Sequence, residues 1–205
     1  MSERQQHWES VYQMKASDGV SWYRPHLETS LRLLAQVAPD REAAVIDVGA
    51  GSSTLVDDLL ALGYRRLSLL DLSATALEVA KRRLGASAAG LQWIAGDIAE
   101  AELPSATYDV WHDRAVFHFL TTEAQRTAYL RQLNHALKPG GHLILATFGP
   151  QGPEKCSGLH VERYDAQAQQ TVLGAGYRLV ESLSELHRSP AGSLQQFQYG
   201  LFRRG

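Results

Sequence analysis

Only one cysteine, Cys156, stands in the 205 residues, so no internal disulfide can form and no cysteine cluster can hold zinc. That scarcity predicts a reduced, cytoplasmic setting. An excess of either charge is missing too: 20 Lys and Arg face 22 Asp and Glu, a formal charge of −2. Such a balance gives no broad grip on phosphate backbones or anionic lipid, which disfavours a nucleic-acid substrate. No uninterrupted apolar run reaches the length of about 18 residues that a membrane span requires, and the segment from Met1 to His7 lacks the apolar core of a signal peptide. Repeats, low-complexity tracts and Ser/Gly linkers are absent, so one domain over residues 1–205 is expected. The eight histidines show no ligand spacing and no carboxylate cluster accompanies them, so no metal site is expected.

What is present is a regular alternation. Short apolar runs at Val45-Ile46-Asp47-Val48, Leu67 to Asp71, Leu91 to Ala95 and Tyr108 to Trp111 read as buried parallel strands. Helical stretches lie between them, from Thr54 to Leu62 before Gly63, and from Ala74 to Leu84 after Ser73, an N-cap type. An earlier helix is expected to open at Pro25 and to carry Leu27, Leu31 and Leu34 on one face. A later one opens with the capping-box spacing of Thr122 and Gln125 and runs to Leu137, where Pro139-Gly140-Gly141 ends it. His142 to Phe148 then reads as the fifth strand, and a short helix is expected near Asp165 to Leu173. Tyr177 to Glu181 and Phe197 to Phe202 read as a closing antiparallel hairpin around Ser189 to Gly192. The order predicts an α/β, doubly wound, mostly parallel sheet with a C-terminal antiparallel hairpin.

The most informative segment is Asp47-Val48-Gly49-Ala50-Gly51-Ser52-Ser53-Thr54, where glycines fall as a strand turns sharply into a helix. Small residues there let backbone amides approach a ligand over the switch point of the sheet. The third glycine of the dinucleotide fingerprint is missing, and Asp47 stands where a pyrophosphate would be repelled and a cationic ligand welcomed. Asp71 ends the next strand, where a carboxylate either accepts from the hydroxyls of a ribose or serves only as an acid at the N-terminus of the following helix. Gly96-Asp97-Ile98 closes the third strand and brings a second carboxylate to the same crevice, able to accept from an adenine amine.

Together with Leu137-Lys138-Pro139-Gly140-Gly141 before the fifth strand, these residues resemble the class I S-adenosylmethionine-dependent methyltransferases over roughly residues 45–148. The resemblance implies a Rossmann-like, seven-stranded core (41–205) preceded by an N-terminal lid and first helix (1–40), with S-adenosylmethionine as cofactor and S-adenosylhomocysteine as product. It also implies roles: Gly49 and Gly51 shape the methionine pocket, Asp47 faces the ammonium group, Asp71 holds the ribose, and Asp97 with Ile98 reads adenine. Ala50, Leu72, Trp22 and His112 complete the expected cofactor-binding set. Ser53 departs from the family's third glycine. The aromatic arm of Trp8, Tyr12, Trp22 and Tyr23 resembles the family's lid, and a sulfonium prefers aromatic walls; alternatively, the two tryptophans only pin the first helix to the sheet.

In this architecture the fourth strand ends beside the transferred methyl, here at Trp111-His112-Asp113-Arg114. His112, Asp113 and Arg114 are the candidate catalytic residues, with a structural hydrogen-bonded pair as the other outcome for His112 and Asp113. His118, between Phe117 and Phe119, reads as packing. The Asn/Asp-Pro-Pro-aromatic motif of nucleic-acid amino methyltransferases is absent. Asp113-Arg114 before an apolar stretch is similar to the corresponding segment of thiopurine and thiol methyltransferases, and less closely to that of some protein lysine methyltransferases. The expected acceptor is a small molecule, a thiol or another soft nucleophile. A protein lysine is the alternative, and a non-catalytic cofactor-binding module and a nicotinamide-dependent oxidoreductase are the readings from other classes. The loop from Phe148 to Gly158 is expected to frame the substrate, with Cys156 either a thiol at its edge or an idle buried residue.

Overall fold

The computed structural model describes residues 1–205. Its elements run α1 (Glu3–Met14), α2 (Glu28–Val37), β1 (Val45–Val48), α3 (Leu55–Ala61), β2 (Leu67–Asp71), α4 (Ala74–Leu84), β3 (Gln92–Ala95), β4 (Tyr108–Arg114), α5 (Glu123–Ala136), β5 (Leu137–Phe148), β6 (Lys155–Cys156), β7 (Leu159–His160), α6 (Ala166–Leu173), β8 (Tyr177–Arg188) and β9 (Leu194–Arg204). The main sheet has the order β3-β2-β1-β4-β5-β9-β8, and β6 with β7 forms a separate two-stranded ladder. Five strands are parallel, and β9 and β8 pair antiparallel at the edge. From β1 the chain travels outward to β3, then returns to place β4 on the other side of β1. The crevice opens at that reversal, over the carboxyl ends of β1 and β4.

Alternation along the strands assigns each side chain to one of two layers. Val45, Val110, Ile144 and Leu201 pack with Leu33, Leu34, Leu55 and Leu59 of α2 and α3. Ile46, Val48, Trp111, Leu143 and Leu145 pack on the opposite face with Tyr129 and Leu133 of α5 and Leu173 of α6. Leu34 has no exposed surface; truncating it to alanine removes about 2–5 kcal/mol.

Several helix ends follow their expected chemistry. The Ser73 hydroxyl accepts from the Ala76 amide, and Thr122 with Gln125 forms a reciprocal capping box. Gly63 sits at φ 97°, the left-handed stop after α3. Pro25 does not open α2: the helix starts at Glu28, with Leu27 buried as its N-cap, and the buried face is Ser30, Leu33 and Leu34. Pro139-Gly140-Gly141 does not separate helix from strand either. α5 ends at Ala136, and the strand takes up Leu137 at once, pairing it with Tyr108 before the ladder shifts to Val110 and His142. Both hairpin strands run far beyond their apolar centres, to twelve residues in β8 and eleven in β9, because polar residues continue the alternation. No helix is long and apolar enough to cross a membrane.

The N-terminal helix was not legible as a helix. Ser2 caps it by accepting from the Gln5 amide, yet only Val11 is fully buried. Polar grips hold it instead: Glu9 accepts from the Ala74 and Thr75 amides at the start of α4 (2.7 and 3.3 Å), and Arg4 reaches Asp97 at 3.7 Å. Partial burial would raise the Glu9 pKa, but hydrogen bonds from Thr75, Ser73 and those amides bring it below the usual range.

Candidate functional site

The floor of the cleft is the turn after β1. Gly49 and Gly51 adopt φ of 72° and 51°, the left-handed region that only glycine enters without strain. A side chain on Gly49 would collide with Val116 Cγ2, and one on Gly51 with the Tyr12 hydroxyl. The Gly49 and Ala50 amides are anchored on the Leu70 carbonyl (2.7 and 3.0 Å).

Asp71 closes β2 with its carboxylate held from two sides: Oδ2 accepts from the Gly51 amide and Oδ1 from the Ser73 amide, both at 2.8 Å. Each oxygen keeps a further acceptor site for a ligand hydroxyl. Burial pushes this carboxyl up to about 7, with Asp47 and Glu9 adding to the rise and the two amide bonds opposing it. Next along the crevice, Asp97 accepts from the Ala99 amide at 2.9 Å, and Ile98 is buried beside it.

β4 distributes its residues by alternation. His112 and Arg114 face the α2 layer. His112 Nδ1 lies 2.7 Å from Asp47 Oδ1, and its Nε2 lies 2.9 Å from the Ser30 hydroxyl. Arg114 donates through Nε to the Tyr199 hydroxyl (3.0 Å) and through Nη1 to the Trp22 carbonyl (3.1 Å). Its guanidinium lies over the Phe197 ring at 4.2 Å. Nη2 is buried without a hydrogen-bond partner, and the nearest carboxylate, Glu185, stands 4.0 Å away.

Asp113 points the other way, which corrects its place in the expected catalytic set. Its carboxylate accepts from the Tyr129 hydroxyl (2.7 Å) and from the Val116 and Phe117 amides (3.0 and 3.3 Å). It has no exposed surface, and burial raises it to about 6 against those hydrogen bonds. The physical reason is strand parity: a residue adjacent to two that face the cleft faces the opposite layer.

Two adjoining cavities, with about 680 and 450 Å3 of empty space including some open to solvent, share Trp22, Gly49 and Arg114. Asp71, Leu72, Asp97 and Ile98 line the larger one, and Asp47, Ala50 and His112 the smaller. The ceiling is aromatic: Trp8 meets Phe119 edge-on at 5.1 Å and Trp22 at 5.7 Å, and Tyr12 meets Trp22 at 6.2 Å. Cys156 lines the far wall, with its thiol pushed up to about 11 by burial. His118 does not reach the cleft. Its Nδ1 accepts from the Phe148 amide at 3.1 Å, and burial, with Arg114 nearby, lowers it to about 3.

The expected cofactor-side residues thus line these two adjoining cavities, except Gly51, which lies beneath the Tyr12 hydroxyl, whereas Asp113 lines neither. Sequence reasoning missed Arg4, Ser30, Glu185 and Tyr199. Tyr199 had a signal, since period-two alternation on β9 places it beneath Arg114 in the same layer. Ser30 had none, because it acts through an element distant in sequence.

The chemistry of these groups fits a nucleoside-bearing sulfonium. Acceptor-only carboxylates meet hydroxyls and an ammonium group, aromatic faces meet a cation, and the glycine turn lets the backbone come close. Comparison with known proteins agrees. Residues 45–141 match a family described as a methyltransferase domain. The chain is 38% identical over 117 residues to the malonyl-[acyl-carrier protein] O-methyltransferase of Halalkalibacterium halodurans, a match covering 55% of this chain and 42% of that protein. It is 26% identical over 138 residues to the eEF1A lysine and N-terminal methyltransferase of Mus musculus, covering 67% of this chain and 19% of that protein. The chain therefore spans less than half the length of these two relatives. A solved S-adenosylmethionine-dependent methyltransferase from Anabaena variabilis superposes over 100% of this chain and 96% of its own, with a TM-score of 0.76 and 16% identity. The fold, the glycine turn with its carboxylates and the matched stretch lead to one conclusion: residues 45–141 match a methyltransferase domain, set in a chain that has the fold of S-adenosylmethionine-dependent methyltransferases.

Proposed function

We propose that the chain methylates a small molecule whose nucleophilic atom reaches the cleft already deprotonated, a thiolate above all. The observation that carries this is the acceptor side of the cleft, which offers a guanidinium and no base. Asp113 faces the other layer, His118 is locked to a backbone amide, His112 has both ring nitrogens engaged by Asp47 and Ser30, and Arg114 lines the cleft with a guanidinium whose buried Nη2 makes no hydrogen bond. A lysine ammonium would need a group to take its proton and would meet a like charge at Arg114. A thiol, with an ordinary pKa of about 8.5, supplies its own anion, and a nearby guanidinium increases the ionised fraction.

When bound, S-adenosylmethionine supplies the activated methyl group. The chain's residues bind and align. Asp71 accepts hydroxyl protons, and Asp47, oriented by His112, offers negative charge to an ammonium. Arg114, fixed by Tyr199, Trp22 and Phe197, orients an anionic acceptor, and alignment is the main contribution an enzyme makes to such a displacement. Trp8, Tyr12, Trp22 and Phe119 exclude water from the cleft. The ceiling formed by α1 favours a compact acceptor over an extended polypeptide.

The test is turnover with labelled cofactor on a panel of small thiols, small amines and lysine peptides. Methylation of thiols, with Arg114→Gln lowering kcat/KM by about 10–100-fold, is expected from the loss of a hydrogen bond between charged groups. Turnover confined to peptides, or no turnover on any acceptor despite cofactor binding, would remove the proposal.

A further inference from the structure

Asp47 and Arg114, the negative and positive walls of the cleft, are joined behind it by a continuous buried chain of side chains. Asp47 Oδ1 lies 2.7 Å from His112 Nδ1, and His112 Nε2 lies 2.9 Å from Ser30 Oγ. Ser30 Oγ lies 3.5 Å from the Tyr199 hydroxyl, which takes the Arg114 Nε proton at 3.0 Å. Ser30 and His112 are at most 1% exposed, as is Tyr199.

The two ends of this chain dictate one direction. Arg114 can only donate, so the Tyr199 oxygen accepts there and its phenolic proton is free for Ser30. An ionised carboxylate can only accept, so His112 Nδ1 carries a proton toward Asp47, and in a neutral imidazole Nε2 is left to accept from Ser30. Every proton then has one acceptor, from Arg114 through Tyr199, Ser30 and His112 to Asp47. Placing a proton on Nε2 as well makes Ser30 Oγ accept from both neighbours, and the Ser30 hydroxyl proton is left with no acceptor in the chain.

Ser, His and Asp in this order also resemble a nucleophilic triad, but Ser30 lies inside α2 with no exposed surface and lines neither cavity. No substrate carbonyl can reach it.

We infer that Ser30 and Tyr199 are positioning residues, which hold Asp47 and Arg114 at the two ends of one directed hydrogen-bond chain and so couple the cofactor side of the cleft to its acceptor side. The inference rests on the proposed function only for what the two ends bind; the chain itself is a property of the free protein. Its directionality makes distant hydroxyls matter to the histidine, because hydrogen bonds in series polarise one another.

The experiment is long-range proton–nitrogen NMR of the His112 ring in uniformly 15N-labelled protein, followed by calorimetric titration with S-adenosylhomocysteine. The wild type is expected to show the proton on Nδ1 and a bare Nε2. Tyr199→Phe, which removes no hydrogen bond to the ring, is expected to move the Nε2 resonance, and Ser30→Ala to move it further. Tyr129→Phe, which removes a buried hydroxyl from the opposite face, is expected to leave it in place. Both chain variants are expected to weaken S-adenosylhomocysteine binding by about fivefold, the effect of one neutral hydrogen bond. A proton on Nε2 in the wild type, or an Nε2 resonance indifferent to Tyr199→Phe, overturns the chain; unchanged affinity in both variants overturns the positioning role. If the wild type itself binds no S-adenosylhomocysteine, the proposed function falls while the NMR result still decides the chain.

Discussion

Asp71→Ala affects two quantities that move in opposite directions, and the structure gives a magnitude for each. In the free protein the substitution strips the Gly51 and Ser73 amides of their 2.8 Å acceptors, at a cost of about 1–3 kcal/mol each if both remain buried and unpaired. It also removes a carboxylate that burial has raised from an ordinary 3.8 to about 7. A raised carboxyl pKa means the folded chain holds its proton where the unfolded chain has lost it. Stability from this group is therefore fully present below pH 4 and declines as pH rises toward 7, by roughly 1.4 kcal/mol per unit. Above pH 7 the wild type bears the whole penalty of about 4 kcal/mol, and the variant is relieved of it. Chemical denaturation of both proteins should thus show Asp71→Ala less stable than wild type at pH 5 and nearly equal to it at pH 8. Ligand binding shows no such compensation. Two hydrogen bonds from ribose hydroxyls to a charged acceptor are worth about 1.5–3 kcal/mol each, so affinity for S-adenosylhomocysteine at pH 8 should fall by at least about 100-fold. A change smaller than threefold, in a variant that unfolds cooperatively, would refute the assignment of Asp71 to the ribose.

Gly49→Ala combines a left-handed φ, about 1–2 kcal/mol for a residue with a side chain, with a collision at Val116, about 1–3 kcal/mol of overpacking. Thermal unfolding should fall by about 5–15 °C for a chain of this size; an unchanged midpoint would contradict the turn geometry. Glu9→Gln removes the negative charge at the start of α4, worth about 0.5–1 kcal/mol, and with it the firmest polar tie of α1. Hydrogen exchange should accelerate in residues 3–14 and leave β1 and β4 unchanged, whereas equal protection throughout would show that the aromatic contacts alone hold the helix.

The parallel core was legible because each strand and helix carries its own signal. Buried runs such as Leu67 to Asp71, the Ser73 cap, the Thr122 capping box and the Gly63 stop are local events. The errors share the opposite property. Pro25 is compatible with a first helical turn, but the buried Leu27 fixes the start of α2 through tertiary packing. α1 shows little apolar periodicity because Glu9 and Arg4 dock it by charge on residues far along the chain. Within the cleft, the glycine turn, Asp71 and Asp97 announce themselves by position after a strand. Asp113 was misplaced because motif resemblance overrode strand parity, which Val110, Trp111 and His112 already display. The partners of His112 and Arg114 were out of reach, since Ser30 and Tyr199 lie 82 and 85 residues away from them.

The alternation of β4 has a consequence for how this protein can change. Trp111 and Asp113 belong to the scaffold and His112 and Arg114 to the cleft, so neighbouring codons carry separable duties. Substitutions at 114 can explore new acceptors while the α5 layer stays intact, substitutions at 111 and 113 can tune robustness without redirecting chemistry, and His112, bonded to Asp47 and Ser30, has to be kept for the cofactor side. A library that randomises all four positions together would lose most members to misfolding; one that varies only position 114 would keep the α5 layer and the cofactor side and sample specificity.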